Sequence, residues 1–190
     1  MMKLKYEIDP NDAIAFFQRV VTDAFEFLVT DYGFSHTSTE IELDWDDSEI
    51  CIITYRNSVC EITPAYQRSG NFVSCGLARL ERSPDGFPEE AEVYDIDYLI
   101  KVRCPDKMED QQFEKNSAED IVRIINTYAD VLKVYGRDLF VGDRELFREL
   151  LSVRETEQKE AFENGAVLMI TDETGETKFY RDDDSRKDSM

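Results

Sequence analysis

Four carboxylates crowd into one short stretch of the chain, residues 43–50, which reads LDWDDSEI. The residues here that could bind a ligand or a partner are Asp44, Trp45, Asp46, Asp47 and Glu49. Oxygen ligands at alternate positions can hold Ca²⁺, as they do in the loop of an EF-hand. A calcium site is therefore the first chemistry that this spacing suggests.

The EF-hand pattern fails at the positions that matter most. If the loop started at Asp44, Glu49 would stand where the pattern requires glycine. Tyr55 would replace the bidentate glutamate that closes the calcium shell. We therefore predict no metal site, and a looser cation site held by clustered carboxylates is the alternative.

A hairpin turn fits the same stretch better. Ile41, Leu43 and Trp45 alternate with acidic residues before it, and the apolar run ICIITY follows it at 50–55. Such a turn would display carboxylates beside the only tryptophan of the chain, and aromatic residues are enriched at protein interfaces. We predict that this turn binds a partner through Asp44, Trp45, Asp46, Asp47 and Glu49. The alternative is a turn that is merely solvated.

Signatures of the common catalytic devices are missing. His36 is the only histidine, which excludes sites built from several histidines, and no GxSxG nucleophile signature accompanies it. We predict that His36 is exposed or caps local structure. Neither GxGxxG nor GxxxxGK[ST] occurs, so no nucleotide cofactor is predicted. With 42 Asp and Glu residues, the sequence offers no way to select an acid/base pair, and no catalytic residue is predicted.

The formal net charge is −20. Residues 171–190 contain seven acidic and four basic residues, a charge of −3, so −17 belongs to residues 1–170. This charge repels nucleic acid and anionic membranes and speeds association with a basic protein. We predict a basic protein partner, no nucleic acid and no membrane, although acidity for solubility alone is the alternative.

The compartment follows from what the chain lacks. No apolar run approaches the roughly 20 residues that a membrane helix needs, and MMKLKYEIDP lacks the apolar core of a secretion signal. The cysteines are single and widely spaced, which indicates reduced, buried side chains: Cys51, Cys60, Cys75 and Cys104. A cytoplasmic protein without cofactors is predicted.

Helical and strand periodicities divide the chain. Asp9 and Pro10 can start an amphipathic helix that Gly33 ends. Four short strands follow, within 39–80, and Pro64 places the third at an edge or bends it. VYDIDYLIKV at 93–102 fits neither period cleanly, and a short helix is favoured.

Two further helices are predicted near the end of the chain. Ser117 and Asp120 resemble a capping box before a helix that ends near Gly136. Asp143 can cap the next helix. Because RETEQKE at 154–160 is mostly charged, this part of the helix is expected to project from the folded domain into solvent. The fold class is therefore α+β, an antiparallel meander of about four strands packed against N-terminal and C-terminal helices. We predict a single domain at 1–170 and an acidic hairpin or disordered tail at 171–190.

This organisation, with its strong acidity, resembles that of small bacterial immunity proteins and related uncharacterised single-domain proteins. The resemblance implies a cytoplasmic, non-enzymatic protein that binds and blocks a basic toxin domain. The alternative is an enzyme or small-ligand binder with a carboxylate-lined pocket between sheet and helices, for which the candidate residues are Tyr55, Tyr66, Tyr94 and Asp97. A homodimer that pairs through a sheet edge or the helix at 143–162 is a third interpretation.

Overall fold

The structure, a computed structural model, describes residues 13–43, 48–69, 72–82, 88–89, 93–107, 117–163, 168–171 and 177–180. The helices are α1 (Ala13–Tyr32), α2 (Ile96–Arg103), α3 (Ala118–Tyr135), α4 (Arg137–Phe140) and α5 (Arg144–Glu163). The strands are β1 (Ser35–Leu43), β2 (Glu49–Arg56), β3 (Cys60–Gln67), β4 (Phe72–Arg79), β5 (Glu81–Arg82), β6 (Pro88–Glu89), β7 (Val93–Asp95), β8 (Leu168–Thr171) and β9 (Thr177–Tyr180).

An antiparallel sheet with the strand order β1-β2-β3-β4-β7 organises the described chain. The first four strands form the predicted meander, and the short strand β7 adds a fifth at the far edge. Helices precede and follow this meander, which confirms the predicted α+β class. Two small ladders, β5 with β6 and β8 with β9, are separate from this sheet. The division of the chain at residue 170 stays a prediction.

The core lies between one face of the sheet and the helices. In β2 the side chains of Cys51, Ile53 and Tyr55 are buried and alternate with less buried neighbours, as the period of two requires. α1 packs on β1 to β3, while α2 and α3 pack on β4. Aromatic rings join the layers, since Phe17 of α1 stacks on Tyr66 of β3 with ring centroids 5.5 Å apart.

α1 ends where the sequence predicts. Gly33 has a φ of +69°, a left-handed conformation that only glycine adopts readily. The Phe34 N–H then donates to the Leu28 carbonyl oxygen at 2.9 Å, and the Phe34 side chain is buried. This turn feeds the chain directly into β1. The predicted start at Asp9 and Pro10 lies outside the described residues.

The predicted caps of α3 and α5 are confirmed. The Ser117 Oγ accepts from the Asp120 N–H at 3.2 Å, and the Asp120 carboxylate accepts from the Ser117 N–H at 3.0 Å. The Asp143 carboxylate accepts from the Glu145 N–H at 2.7 Å. These bonds satisfy N–H groups that a helix start otherwise leaves without a partner.

The edge position considered for the third strand is wrong, because β3 lies between β2 and β4. Pro64 pairs with Cys75 of β4, whereas the paired residues of β2 and β3 skip Ile53 and Thr54. Proline has no N–H to donate, so the ladder on its β2 side is interrupted. The sheet tolerates this gap because the β4 ladder runs without interruption through Pro64.

The segment 93–102 combines both of its possible structures. Val93–Asp95 pairs with β4, and α2 begins immediately afterwards at Ile96, so the favoured helix covers only part of the segment. Neither the strand period nor the helix period fits the whole segment, because the boundary between β7 and α2 falls inside it.

The expectation that α5 leaves the body is also wrong. Glu157 in the charged part of α5 forms an ion pair with Lys101 of α2, and the Arg154 guanidinium lies 4.9 Å from the Tyr94 ring centroid. Charged side chains therefore hold this part of the helix against the body. None of the helices within the described ranges is long and apolar enough to cross a bilayer.

Candidate functional site

β1 is the outer strand of the sheet and the most exposed of the longer strands. Eight of its nine residues are exposed, and Ser38 is partly buried. Ile41 and Leu43 retain 55% and 69% of their surface, although large aliphatic side chains usually lie in the core. Ile41 pairs with Cys51, so it lies on the face that carries the helices, yet α1 does not cover it. This end of the hairpin therefore presents apolar surface to solvent.

Acidic side chains alternate with these aliphatic ones. Glu40 and Glu42 are exposed and point to the opposite face, because successive strand residues alternate. In the part of the chain that the structure describes, neither carboxylate has a cation within ion-pair distance. Two other acids of the sheet, Glu49 and Glu61, are paired with Arg68 and Arg56. No ion pair within the described ranges therefore neutralises Glu40 and Glu42.

The predicted partner-binding residues have separate outcomes. Asp44, Trp45, Asp46 and Asp47 lie outside the described residues, so their role stays a prediction. Glu49 is the first residue of β2, opposite Leu43, and its carboxylate binds the Arg68 guanidinium at 2.5 Å. This pair is exposed, so it is weak, but it neutralises part of the charge that the prediction assigned to Glu49.

His36 shapes the other end of β1. Its Nε2 lies 3.0 Å from the Ser38 carbonyl oxygen and 2.9 Å from the Thr39 Oγ1. The pairing of β1 with β2 shifts between His36 and Ser38, which marks a bulge at this point. His36 is exposed and serves this local structure, in agreement with its predicted role. The regular part of the edge begins beyond the bulge, at Thr39.

A second group of ionisable residues lies where β7 meets α2. The Asp95 carboxylate caps α2 by accepting from the Asp97 N–H at 2.9 Å. Burial, the Asp95 charge and the Glu157 charge raise the pKa of Asp97 to about 6, although the Lys101 ammonium opposes this shift. Burial likewise raises the pKa of Asp95. Sequence reasoning found Asp97 but missed Asp95, which the Asp-x-Asp spacing at a helix start would have indicated.

This arrangement makes a stability prediction for Asp97→Asn. The Asp97 carboxyl holds its proton to about pH 6 in the folded protein but only to about 3.8 when fully solvated. Between these values the folded state binds more protons than the unfolded state, so the free energy of unfolding falls as the pH rises. Above about pH 6 the Asp97 carboxyl is ionised in both states, and the loss of stability is complete. Asparagine cannot ionise, so the variant is expected to be more stable than the wild type at neutral pH.

We expect Asp97→Asn to raise the free energy of unfolding by about 1 kcal/mol at neutral pH. The gain is smaller than the full pKa shift implies, because solvent screens a side chain that is only partly buried. The gain should vanish below about pH 4, which urea titrations at both pH values would measure. Asp138→Asn, at an exposed position, is the matched control and should change stability by less than about 0.5 kcal/mol. A gain from Asp97→Asn that is equal at acidic and neutral pH would contradict the assignment.

The four cysteines are free and buried, as predicted. Burial and the nearby Asp95 and Asp97 charges raise the pKa of Cys75 well above its usual value. Burial also raises the pKa of Cys60 to about 12. A thiol that stays protonated is a poor nucleophile and a poor metal ligand, so these side chains act as small core residues.

A cavity of about 310 Å³ lies elsewhere, lined by Asp106, Lys107, Thr127 and Asp130. Ligand pockets of this size are usually lined mainly by apolar and aromatic side chains, and this lining is polar. Neither Asp95 nor Asp97 contributes to it. Within the described ranges, no three His, Cys, Asp or Glu side chains are grouped so that they could hold a metal ion.

Comparison of the chain with protein-family models, curated proteins and solved structures finds no match in any of the three. The described residues define an α+β protein in which the long strand β1 lies exposed at a sheet edge. That edge alternates acidic and aliphatic side chains at its C-terminal end.

Proposed function

We propose that this protein is an acidic, cytoplasmic, non-enzymatic interaction module that binds a basic protein through the β1–β2 hairpin. The observation that supports it is the exposed sequence Glu40–Ile41–Glu42–Leu43, in which carboxylates that have no ion-pair partner among the described residues alternate with exposed aliphatic side chains. Carboxylates steer a cationic partner, and desolvated apolar side chains contribute affinity once contact is made. Following its resemblance to immunity proteins, the proposed partner is a basic toxin domain that the protein inhibits.

Charged residues on an edge strand also have a protective role, since they prevent pairing with other chains. Protection alone explains Glu40 and Glu42, but it leaves unexplained why Ile41 and Leu43 are exposed between and beside them. Binding accounts for both features. If the edge binds a partner, reversing its charge should weaken capture of that partner. If the edge is only protective, capture should not change.

The test is affinity capture from a lysate of the source cells with the wild-type protein and two charge-reversal variants. E40K/E42K reverses the edge, and E155K/E160K makes the same change on exposed positions of α5. Both raise the net charge from −20 to −16, since each of two substitutions adds two charges. Any difference between them therefore reports position and not total charge.

We expect the wild type and E155K/E160K to retain a basic protein at about 0.1 M salt and release it near 1 M, where the Debye length falls from about 10 Å to about 3 Å. E40K/E42K should lose at least about 90% of the captured protein, a tenfold weakening that corresponds to about 1.4 kcal/mol. Capture that is equal for both variants, or absent for the wild type, would overturn the proposal.

The second candidate function is a small-ligand binder or enzyme, and the Asp95–Asp97 pair favours it. Burial raises the pKa of both carboxyl groups, and the Asp95 charge adds to the shift of Asp97. Carboxyl groups with raised pKa values cluster at functional sites. An ion pair between Lys101 and Glu157 borders this pair. A ligand that raises the melting temperature of the wild type but not of Asp97→Asn would favour this function over the first.

A further inference from the structure

We infer that β1 binds its partner by strand addition, and that the partner supplies an extended segment in which basic and apolar residues alternate. This inference rests on the proposed function and specifies how the partner is recognised. Among the described residues, no strand pairs with β1 on the side away from β2. The backbone N–H and C=O groups that point to that side form a ready template for another strand.

The two edges of the sheet differ in their capacity for such pairing. β7, at the opposite edge, contains three residues, whereas β1 contains nine. At the start of β1, the bulge and the contact of His36 with the Ser38 carbonyl oxygen interrupt the regular edge. The free ladder therefore extends from Thr39 to Leu43. Five residues are a typical strand length, so this segment is long enough to hold one.

Side chains along this segment specify the composition of the added strand. Glu40 and Glu42 occupy one face, where residues of an adjacent strand that carry lysine or arginine would neutralise them. Ile41 and Leu43 occupy the other face, where apolar residues would cover surface that is 55% and 69% exposed. Because a strand alternates its side chains between faces, one segment meets both requirements only if basic and apolar residues alternate along it.

A second copy of the chain is a poorer occupant. Each copy carries a net charge of −20, so two copies repel one another. Pairing of β1 with β1 around Ile41 would also place Glu40 opposite Glu42, and like charges opposite one another destabilise a sheet. Lysine or arginine residues of a basic segment would instead attract Glu40 and Glu42.

The probe for the test is a synthetic peptide of alternating lysine and valine residues. Binding is followed by the fluorescence of Trp45, the only tryptophan, and by hydrogen exchange of the amides from Thr39 to Leu43. We expect binding to slow exchange in this segment by at least about tenfold, since strand pairing protects amides that side-chain contacts leave open. E40K/E42K should weaken binding by at least about tenfold, and E155K/E160K should not.

Two control peptides separate the parts of the inference. A lysine–valine peptide with alternate backbone nitrogens methylated keeps its charge but loses hydrogen-bond donors. If it binds as tightly as the parent peptide, strand addition is wrong while recognition of a basic partner stands. If a peptide with glutamate in place of lysine binds equally well, the proposed function loses its electrostatic basis as well.

Other occupants would give different results. Concentration-dependent dimerisation that protects the same amides without peptide would assign the edge to a second copy and overturn the inference. Lys3, Leu4, Lys5 and Tyr6 have the proposed alternation in the sequence of this chain. Protection of β1 without peptide that is lost in K3E/K5E would assign the edge to these residues instead and would equally overturn it.

Discussion

Replacing Phe17 with alanine is expected to lower the free energy of unfolding by about 3–5 kcal/mol. Phe17 is fully buried, and its ring stacks on Tyr66, which joins α1 to the middle of the sheet. Truncation removes apolar contacts and leaves a cavity that surrounding side chains fill only in part. A loss of this size is a large fraction of the roughly 5–15 kcal/mol that stabilises a typical domain.

Urea denaturation measures this effect, and an unchanged m-value would show that the variant unfolds from the same folded state. Phe17→Leu retains most of the volume and should lose less than about 1.5 kcal/mol. Val29→Ala, on the same helix at a position 44% exposed, is the control for helix propensity and should stay within about 0.5 kcal/mol. A loss below about 1 kcal/mol for Phe17→Ala would contradict the docking of α1 on the sheet.

Asn57→Ala has the second-largest expected effect, about 2–3 kcal/mol of lost stability. The Asn57 Oδ1 accepts from the N–H groups of Val59 and Cys60, both at 2.8 Å. Its Nδ2 donates to the Phe140 carbonyl oxygen at 2.9 Å. One side chain therefore shapes the turn between β2 and β3 and fixes it to α4. Alanine removes all three bonds and leaves backbone groups in a partly buried region without partners.

Asn57→Asp separates the two roles of this side chain. Aspartate keeps an acceptor for the turn but replaces the donor with an oxygen that faces the Phe140 carbonyl, so we expect an intermediate loss. Hydrogen exchange at Val59 and Cys60 should quicken in Asn57→Ala and change little in Asn57→Asp. Asn126→Ala is the matched control, because among the described residues its side-chain amide bonds within α3 alone, to the Val122 carbonyl oxygen. If Asn57→Ala is as harmless as this control, the three bonds do not stabilise the fold.

Much of the local structure was predictable because its causes are short-range. The end of α1 follows from Gly33, the only residue type that adopts a φ of +69° readily. The start of α3 follows from Ser117 and Asp120, whose side chains reach the helix N–H groups from within one turn. Each of these signals needs no information from elsewhere in the chain.

Errors arose where distant segments decide the outcome. Pro64 suggests a strand that is bent or lies at an edge, and the edge alternative is wrong because β3 is central. The ladder to β4 and the burial of the strand compensate for the missing donor. The charged part of α5 suggests a free helix, yet Lys101 and Tyr94 provide partners for it. Whether a charged helix face is solvated or paired depends on which residues lie opposite it, and periodicity does not contain that information.

For the candidate site, the sequence by itself determined the composition of the hairpin, with its carboxylates around alternating apolar residues, and the overall charge of −20. Only the tertiary structure decided that β1 is the outer strand and that Ile41 and Leu43 remain exposed. It also decided that, within the described ranges, Glu49 has an ion-pair partner while Glu40 and Glu42 have none. The order of strands and the reach of α1 over the sheet are set by long-range packing. The same alternation of residues could therefore occur in a central strand or at an open edge, and the sequence does not distinguish the two.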